Sequence, residues 1–295
     1  MSPTRDDATL RIGLPKGSLE APTLDLFAKA GYHIESRSRS YTPEIDDPNF
    51  SVVLFRAQEM ARYVEDGVID LGITGHDWVV ENAADVHEVC ELEYSRATPR
   101  PVRWVLAVPE ESGINKPEQL AGGIVATELL QTTRRYFADR GIDIKVEFSW
   151  GATEVKARLV DAIVDVTETG SSLRANKLKV IDTLLQSTTR LIANRAAWSD
   201  DTKRQRIEDL ALLLRGAIAA RSKVGLKMNV PRSKLDAVLE LLPAATSPTV
   251  NDLADPNWVA IEVIVDVQTE RDTVPALTRA GATAIFSYPL NKVVG

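Results

Sequence analysis

The chain is poor in the residues that build disulfides and metal cages. It has one cysteine, Cys90, and three histidines, His33, His76 and His87, in 295 residues. A lone cysteine excludes an internal disulfide and fits a reducing compartment, with Cys90 itself read as a small buried residue. The histidines stand apart from one another and from Cys90, so none has zinc-site spacing. Long apolar runs are missing too, which argues against a helical membrane span. The opening stretch Met1–Ala8 is polar and acidic, without the basic-then-apolar layout of a secretory signal, and a cytoplasmic location is expected. Positive charge is outnumbered: 35 Lys and Arg face 42 Asp and Glu, a net charge of -7 that disfavours non-specific nucleic-acid binding. That balance still permits a locally positive site for a small anion. No G-x-S-x-G elbow and no Cys/His constellation is present, so covalent acyl chemistry is not indicated.

What is present is an alternation of short apolar runs and helix-like segments. Leu10–Leu14 reads as a strand broken by Pro15, Lys16 and Gly17, with Ser18 as N-cap of a helix through Ala30. Ser51–Phe55, Val68–Ile73, Val102–Val108, Gly122–Ala126 and Ile144–Phe148 read as further strands. Helices are predicted at Ala57–Asp66, His76–Asn82, Leu129–Arg140 and Thr153–Leu159, and a short one at Lys116–Leu120. This is the pattern of an α/β protein with a largely parallel sheet. Leu178–Leu184 and Thr189–Asn194 are read as strands that return the chain to a first lobe. Asp200–Arg221 is a helix with Ile207, Leu210, Ala211 and Leu214 at helical spacing. The pattern then changes. Strands Val224–Val230, Trp258–Val267 and Thr283–Pro289, with helices Arg232–Leu242 and Asp272–Ala280, suggest a β-α-β-β-α-β ferredoxin-like unit beginning near Arg221.

The most informative stretch is Asp161–Leu173, D-A-I-V-D-V-T-E-T-G-S-S-L. A buried-type strand, Ala162–Val166, runs into Glu168 and then into Thr169, Gly170, Ser171 and Ser172 before a helix-like segment. A strand ending in small hydroxylated residues at a helix N-terminus makes an anion site. Main-chain N–H groups and the helix dipole converge there, and Gly170 lets a phosphate approach the backbone. The acidic side chain suits sugar hydroxyls, so a phosphorylated ribose fits better than bare phosphate. The plain alternative is a strand–turn–helix junction with a Ser/Thr cap. A weak internal echo supports two lobes: Val68–Gly75 and Ala162–Gly170 both run from an apolar strand carrying an Asp into a Thr-Gly turn.

Three segments together carry a family resemblance: Leu10–Leu19, L-R-I-G-L-P-K-G-S-L; Asp66–Gly75, D-G-V-I-D-L-G-I-T-G; and Asp161–Leu173. With Pro231–Leu235 and Ser247–Thr249, they are similar to the ATP phosphoribosyltransferases of histidine biosynthesis in their long, self-regulated form. The resemblance implies two catalytic lobes like type II periplasmic binding proteins, residues 1–100 with 180–221 and residues 101–179. A ferredoxin-like, ACT-like regulatory domain over residues 222–295 would follow. The implied reaction is attack of adenine N1 of ATP on C1 of phosphoribosyl pyrophosphate (PRPP), with pyrophosphate leaving. Asp165, Glu168, Thr169, Gly170, Ser171, Ser172 and Leu173 are then the expected PRPP contacts. Lys16, Arg56, Thr74, Gly75 and Glu154 are expected on the ATP side. Lys16 and Glu168 are expected nearest the reacting groups. Mg²⁺ is expected with the pyrophosphate, with Glu168 as a candidate contact and no metal cage of protein side chains. The family's inhibitor, L-histidine, implies a role for Asn229, Thr246, Ser247 and Thr249, although Asn229 stands where an acid is expected. A homo-oligomer, dimer to hexamer, is implied as well.

Plainer roles compete. Without the resemblance Lys16 reads as a solvated loop lysine; Arg56 competes as an ion-pair partner of Glu59, and Glu154 reads equally as the first-turn acid of its helix. Two other functions share parts of the pattern: a two-lobe binding protein without catalysis, and a salvage phosphoribosyltransferase. The phosphoribosyl-type loop speaks against a plain amino-acid or oxyanion binder, and the paired lobes against the salvage class.

Overall fold

The computed structural model describes residues 9–35, 40–94, 101–242 and 247–295. The chain forms two compact units. One is Tyr32–Ala211 with the chain up to Asp25; the other is Leu26–Gly31 with Leu212–Gly295.

In order, the chain begins with β1 (Leu10–Pro15), α1 (Glu20–Ala30), a small ribbon of β2 (Ile34–Glu35) and β3 (Glu44–Ile45), β4 (Phe50–Phe55), α2 (Ala57–Glu65), β5 (Leu71–Gly75), α3 (His76–Asn82) and β6 (His87–Glu91). It continues with β7 (Val102–Pro109), β8 (Ile124–Thr127), α4 (Leu130–Ala138), β9 (Lys145–Phe148), α5 (Thr153–Lys156), β10 (Ala162–Thr167), α6 (Ser171–Ala175) and β11 (Leu178–Ser187). β12 (Thr189–Ala193), α7 (Arg195–Ser199) and α8 (Asp201–Ala220) follow.

Two five-stranded sheets result, in the orders β4-β1-β5-β12-β6 and β9-β8-β10-β7-β11. In each, the first parallel strand lies between the second and the third, next comes an antiparallel strand arriving from the other lobe, and the fourth closes the edge. The arriving strand is β12 in the first lobe and β7 in the second. This shared order is the type II two-lobe topology. It makes the Val68–Gly75 and Ala162–Gly170 echo a structural equivalence, since both contain the third strand of their lobe and lead into the following helix. One element departs from expectation: the strand from Leu178 runs to Ser187 and pairs with β7 in the second sheet, so β12 alone returns the chain.

Period-two alternation divides the second lobe's strands between two cores. Trp104, Leu106, Val108, Val125, Ala162 and Val164 point to one face with Phe137 of α4. Val105, Ala107, Ala126 and Ile163 point to the other with Leu173 and Leu178. Both faces are covered, as a largely parallel sheet requires.

The second unit carries β13 (Lys223–Pro231), α9 (Leu235–Leu239), β14 (Thr249–Asp252), β15 (Trp258–Asp266), α10 (Val267–Ala280) and β16 (Thr283–Pro289). Its antiparallel sheet has the ferredoxin-like order β14-β15-β13-β16. Leu226, Met228, Val230, Val259, Ile261, Val263 and Val265 supply the sheet's side of its core. Among the described residues, no helix is long and apolar enough to cross a membrane.

Candidate active site

The first unit holds a cleft of about 790 Å³ lined by both lobes. Ligands of open α/β sheets gather at the carboxyl ends of the strands, and the lining follows that rule. Lys16 follows β1, Arg56 follows β4, Gly75 ends β5, Glu128 follows β8, and Val166 lies near the end of β10.

Lys16 is fixed at both ends. Its N–H donates to Phe55 O at 2.8 Å. Its Nζ lies 3.4 Å from Glu20 Oε2 and 5.0 Å from the Tyr41 ring centroid. Arg56 is exposed at the start of α2. The expected ion pair with Glu59 goes instead to Arg62, at 4.0 Å, so among the described ion pairs Arg56 is not the partner of Glu59. Gly75 is a forced choice: a Cβ there would stand 2.0 Å from Asp77 Oδ1. Thr74 does not line the cleft. It is fully buried, and its hydroxyl donates to Ala57 O at 2.7 Å, tying β5 to α2. Asp70, the other acid of that segment, is a structural brace, accepting from Arg11 N at 2.9 Å and lying 3.4 Å from Lys203 Nζ.

The second-lobe loop is a tight turn. Gly170 sits at φ +73° as N-cap of α6, and its N–H donates to Thr167 Oγ1 at 2.8 Å. Thr169, Ser171 and Ser172 are exposed, whereas Leu173 is buried in the core. Ser172 Oγ donates to Glu154 Oε1 at 3.0 Å, which brings the α5 acid to the loop. Arg174 Nη1 donates to Thr169 O at 3.0 Å and braces the turn from behind. The amides of Ser172 and Leu173 lie in the first turn of α6, where no intrahelical acceptor exists. Glu168 is half-buried directly after β10. Asp165, within β10, has its carboxyl pushed up to about 6, chiefly by burial and further by the charges of Glu154 and Glu128; the N–H of Val166 opposes this. Among the described residues no three His, Cys, Asp or Glu converge as a metal cage.

Sequence reading missed the junction between the lobes. Asp77, at the start of α3, is buried and accepts from Trp104 Nε1 at 2.6 Å and Ser187 Oγ at 2.9 Å. Its own N–H donates to Ser187 Oγ at 3.0 Å. Burial raises its carboxyl above the ordinary value, against the pull of these hydrogen bonds. Asp77, Trp78, Trp104 and Ser187 all line the cleft. A Trp inside an apolar strand was the one available signal, since a buried indole N–H needs an acceptor.

In the second unit, Asn229 lies on β13 opposite Ala260, and Thr249 on β14 opposite Glu262. Ala260 and Glu262 are two positions apart on β15, so Asn229 and Thr249 share the sheet face away from the core. Ser247 is exposed just before β14, and Thr246 lies outside the described residues.

Residues 56–216 match the family described as ATP phosphoribosyltransferase, and residues 220–292 match HisG, C-terminal domain. The ATP phosphoribosyltransferase of Prosthecochloris aestuarii is 57% identical over 286 residues, covering 97% of each chain. That of Solibacter usitatus is 56% identical over 286 residues, covering 97% of this chain and 99% of its own. Among solved structures, the ATP phosphoribosyl transferase (HisG:HisZ) complex from Thermotoga maritima aligns with a TM-score of 0.61 and 26% identity, over 70% of this chain and 99% of that one. The chain belongs to the ATP phosphoribosyltransferase family.

Proposed function

We propose that the cleft carries out the family's reaction with ATP held from the first lobe and PRPP from the second. Adenine N1 attacks C1 of PRPP; the N1–C1 bond forms as the bond from C1 to the pyrophosphate oxygen breaks, and pyrophosphate leaves with the electron pair. The observation that carries this reading is the cleft lined on one side by Lys16 and Arg56 and on the other by Glu128 and the end of β10. Lys16 and Arg56 would neutralise phosphate oxygens, where fixed cations stabilise the charge that grows on the leaving group. Thr169, Gly170, Ser171, Ser172 and Leu173 would hold the ribose 5-phosphate through hydroxyls and first-turn amides. Asp165 and Glu168 would meet the ribose hydroxyls. Glu154, bonded to Ser172 Oγ, would align that loop with the nucleotide.

Mg²⁺ bound to the pyrophosphate would supply further charge neutralisation, with the carboxylates of Asp165 and Glu168 available to it. The second unit, residues 222–295, would be the regulatory domain. There L-histidine would be sensed by Asn229 and the Thr246–Thr249 segment in a homo-oligomer, and a cytoplasmic setting would suit the single cysteine.

The test is product formation from ATP and PRPP with Mg²⁺ and pyrophosphatase, followed at the ultraviolet band of the modified adenine, with and without L-histidine. Turnover that histidine suppresses is the expected result. Turnover indifferent to histidine removes the regulatory reading alone, and thermal stabilisation by ligand without turnover favours a binding protein.

A further inference from the structure

Helix α3 belongs to the first lobe by chain order, yet three side chains on it are bound to the second. Asp77 accepts from Trp104 and Ser187. Trp78 packs against the second lobe's core, edge-on to Trp104 with ring centroids 6.1 Å apart. Glu81 accepts from the N–H of Gln131 at 2.8 Å and of Thr132 at 2.9 Å, one with each carboxylate oxygen. Positions 77, 78 and 81 stand three and four residues apart, so they share one side of the helix.

The two amides held by Glu81 belong to the first turn of α4. A carboxylate on two amides at a helix N-terminus makes charge-assisted bonds and opposes the helix dipole favourably. Helix α4 follows at once on Thr127–Glu128–Leu129. That link is stiff: Thr127 and Leu129 are fully buried, and Leu129 N donates to Thr127 Oγ1 at 3.0 Å. Glu128, between them, lines the cleft.

We infer that Glu81 is a positioning residue for the transfer. By capping α4 from the first lobe, it fixes the second-lobe cleft wall relative to Lys16 and Arg56. This rests on the reading of the cleft as the site where the two substrates are held by different lobes. Transfer requires N1 and C1 in line, and a misplacement of about 1 Å costs on the order of 100-fold in rate. Binding of PRPP to its own lobe does not depend on that alignment.

Full-length Glu81→Gln and Glu81→Ala test the inference. Gln keeps one acceptor oxygen, and Ala keeps none. The readouts are kcat per folded molecule, the Kd for PRPP with Mg²⁺ by calorimetry, and the folded fraction by circular dichroism. The expected order of kcat is wild type, then Gln, then Ala, with a loss of about 10-fold or more in Ala and a PRPP Kd within about twofold. Equal kcat in all three overturns the inference. So does a loss that vanishes on correction for folded fraction, or one matched by an equal rise in PRPP Kd. Should the Ala variant not fold, a wild-type kcat in Glu81→Gln is decisive against it. Wild-type turnover in the same assay separates the two levels: its absence strikes the active-site reading itself.

Discussion

Gly170 shows how much one residue decides. It holds φ +73° at the start of α6, and a Cβ there would stand 3.0 Å from Arg174 Nη1. A β-branched side chain is poorly tolerated at such φ, at a cost of about 1–3 kcal/mol. Gly170→Val is therefore expected to raise the KM for PRPP about 10-fold or more, or to abolish turnover, while circular dichroism stays native. Unchanged kinetics would remove this loop from the site. Asp165 carries a different signature. Its carboxyl titrates at about 6 instead of 3.8, chiefly because it is buried. At low pH it is neutral both folded and unfolded. As pH rises through the range between those values, the unfolded chain loses its proton first, so stability falls, by up to about 3 kcal/mol in all. Urea unfolding at about pH 4 and about pH 7 should show that fall in the wild type and not in Asp165→Asn; parallel profiles for the two would refute it. The loop itself was legible because glycine and hydroxyl chemistry is local. Thr74 was not, because its hydroxyl is committed to Ala57 O, a partner that only packing reveals.

At the scale of elements, α3 is the clearest case of structure adding to sequence. It was readable as a helix over His76–Asn82, and β1, α2, β10 and α8 were readable too, with predicted limits that differ from the observed ones by a residue or two. Its partners were not. Asp77 finds Trp104 27 residues away and Ser187 110 residues away, and nothing in local patterning encodes such pairs. Trp104→Phe removes the indole donor and leaves a buried carboxylate oxygen unsatisfied. The expected loss is about 1–3 kcal/mol of unfolding free energy, measured with urea. A loss below about 0.5 kcal/mol, the range of a neutral surface change, would mean that the junction does not depend on this bond. Strand β11 was misassigned for a related reason. Its alternation is interrupted by register shifts between Val180 and Asp182 and between Thr183 and Leu185, and the predicted strand stops at Leu184, short of the observed end at Ser187. Strand β14, T-V-N-D, is exposed at every position and has Val250 as its one apolar residue, too little for a strand pattern.

For the whole molecule, an excess of acid coexists with a cleft that presents Lys16 and Arg56. Net charge governs solubility and non-specific partners, whereas a site is set by the few charges facing it. Both lobes obey one strand order, which gives the loops after their third strands equivalent places in the two sheets. By itself the sequence determined the α/β class, the ferredoxin-like close, the glycine turn that leads from β10 into α6 and the family, because these rest on periodicity, turn chemistry and contiguous motifs. Tertiary structure alone decided that β11 stays in the second sheet, that Thr74 turns inward, and that Glu128 reaches the cleft. It alone decided that Asp77, Trp78 and Glu81 tie the lobes together. Each of these depends on contacts between segments far apart in the chain, whose pairing is fixed only when the apolar faces are buried together.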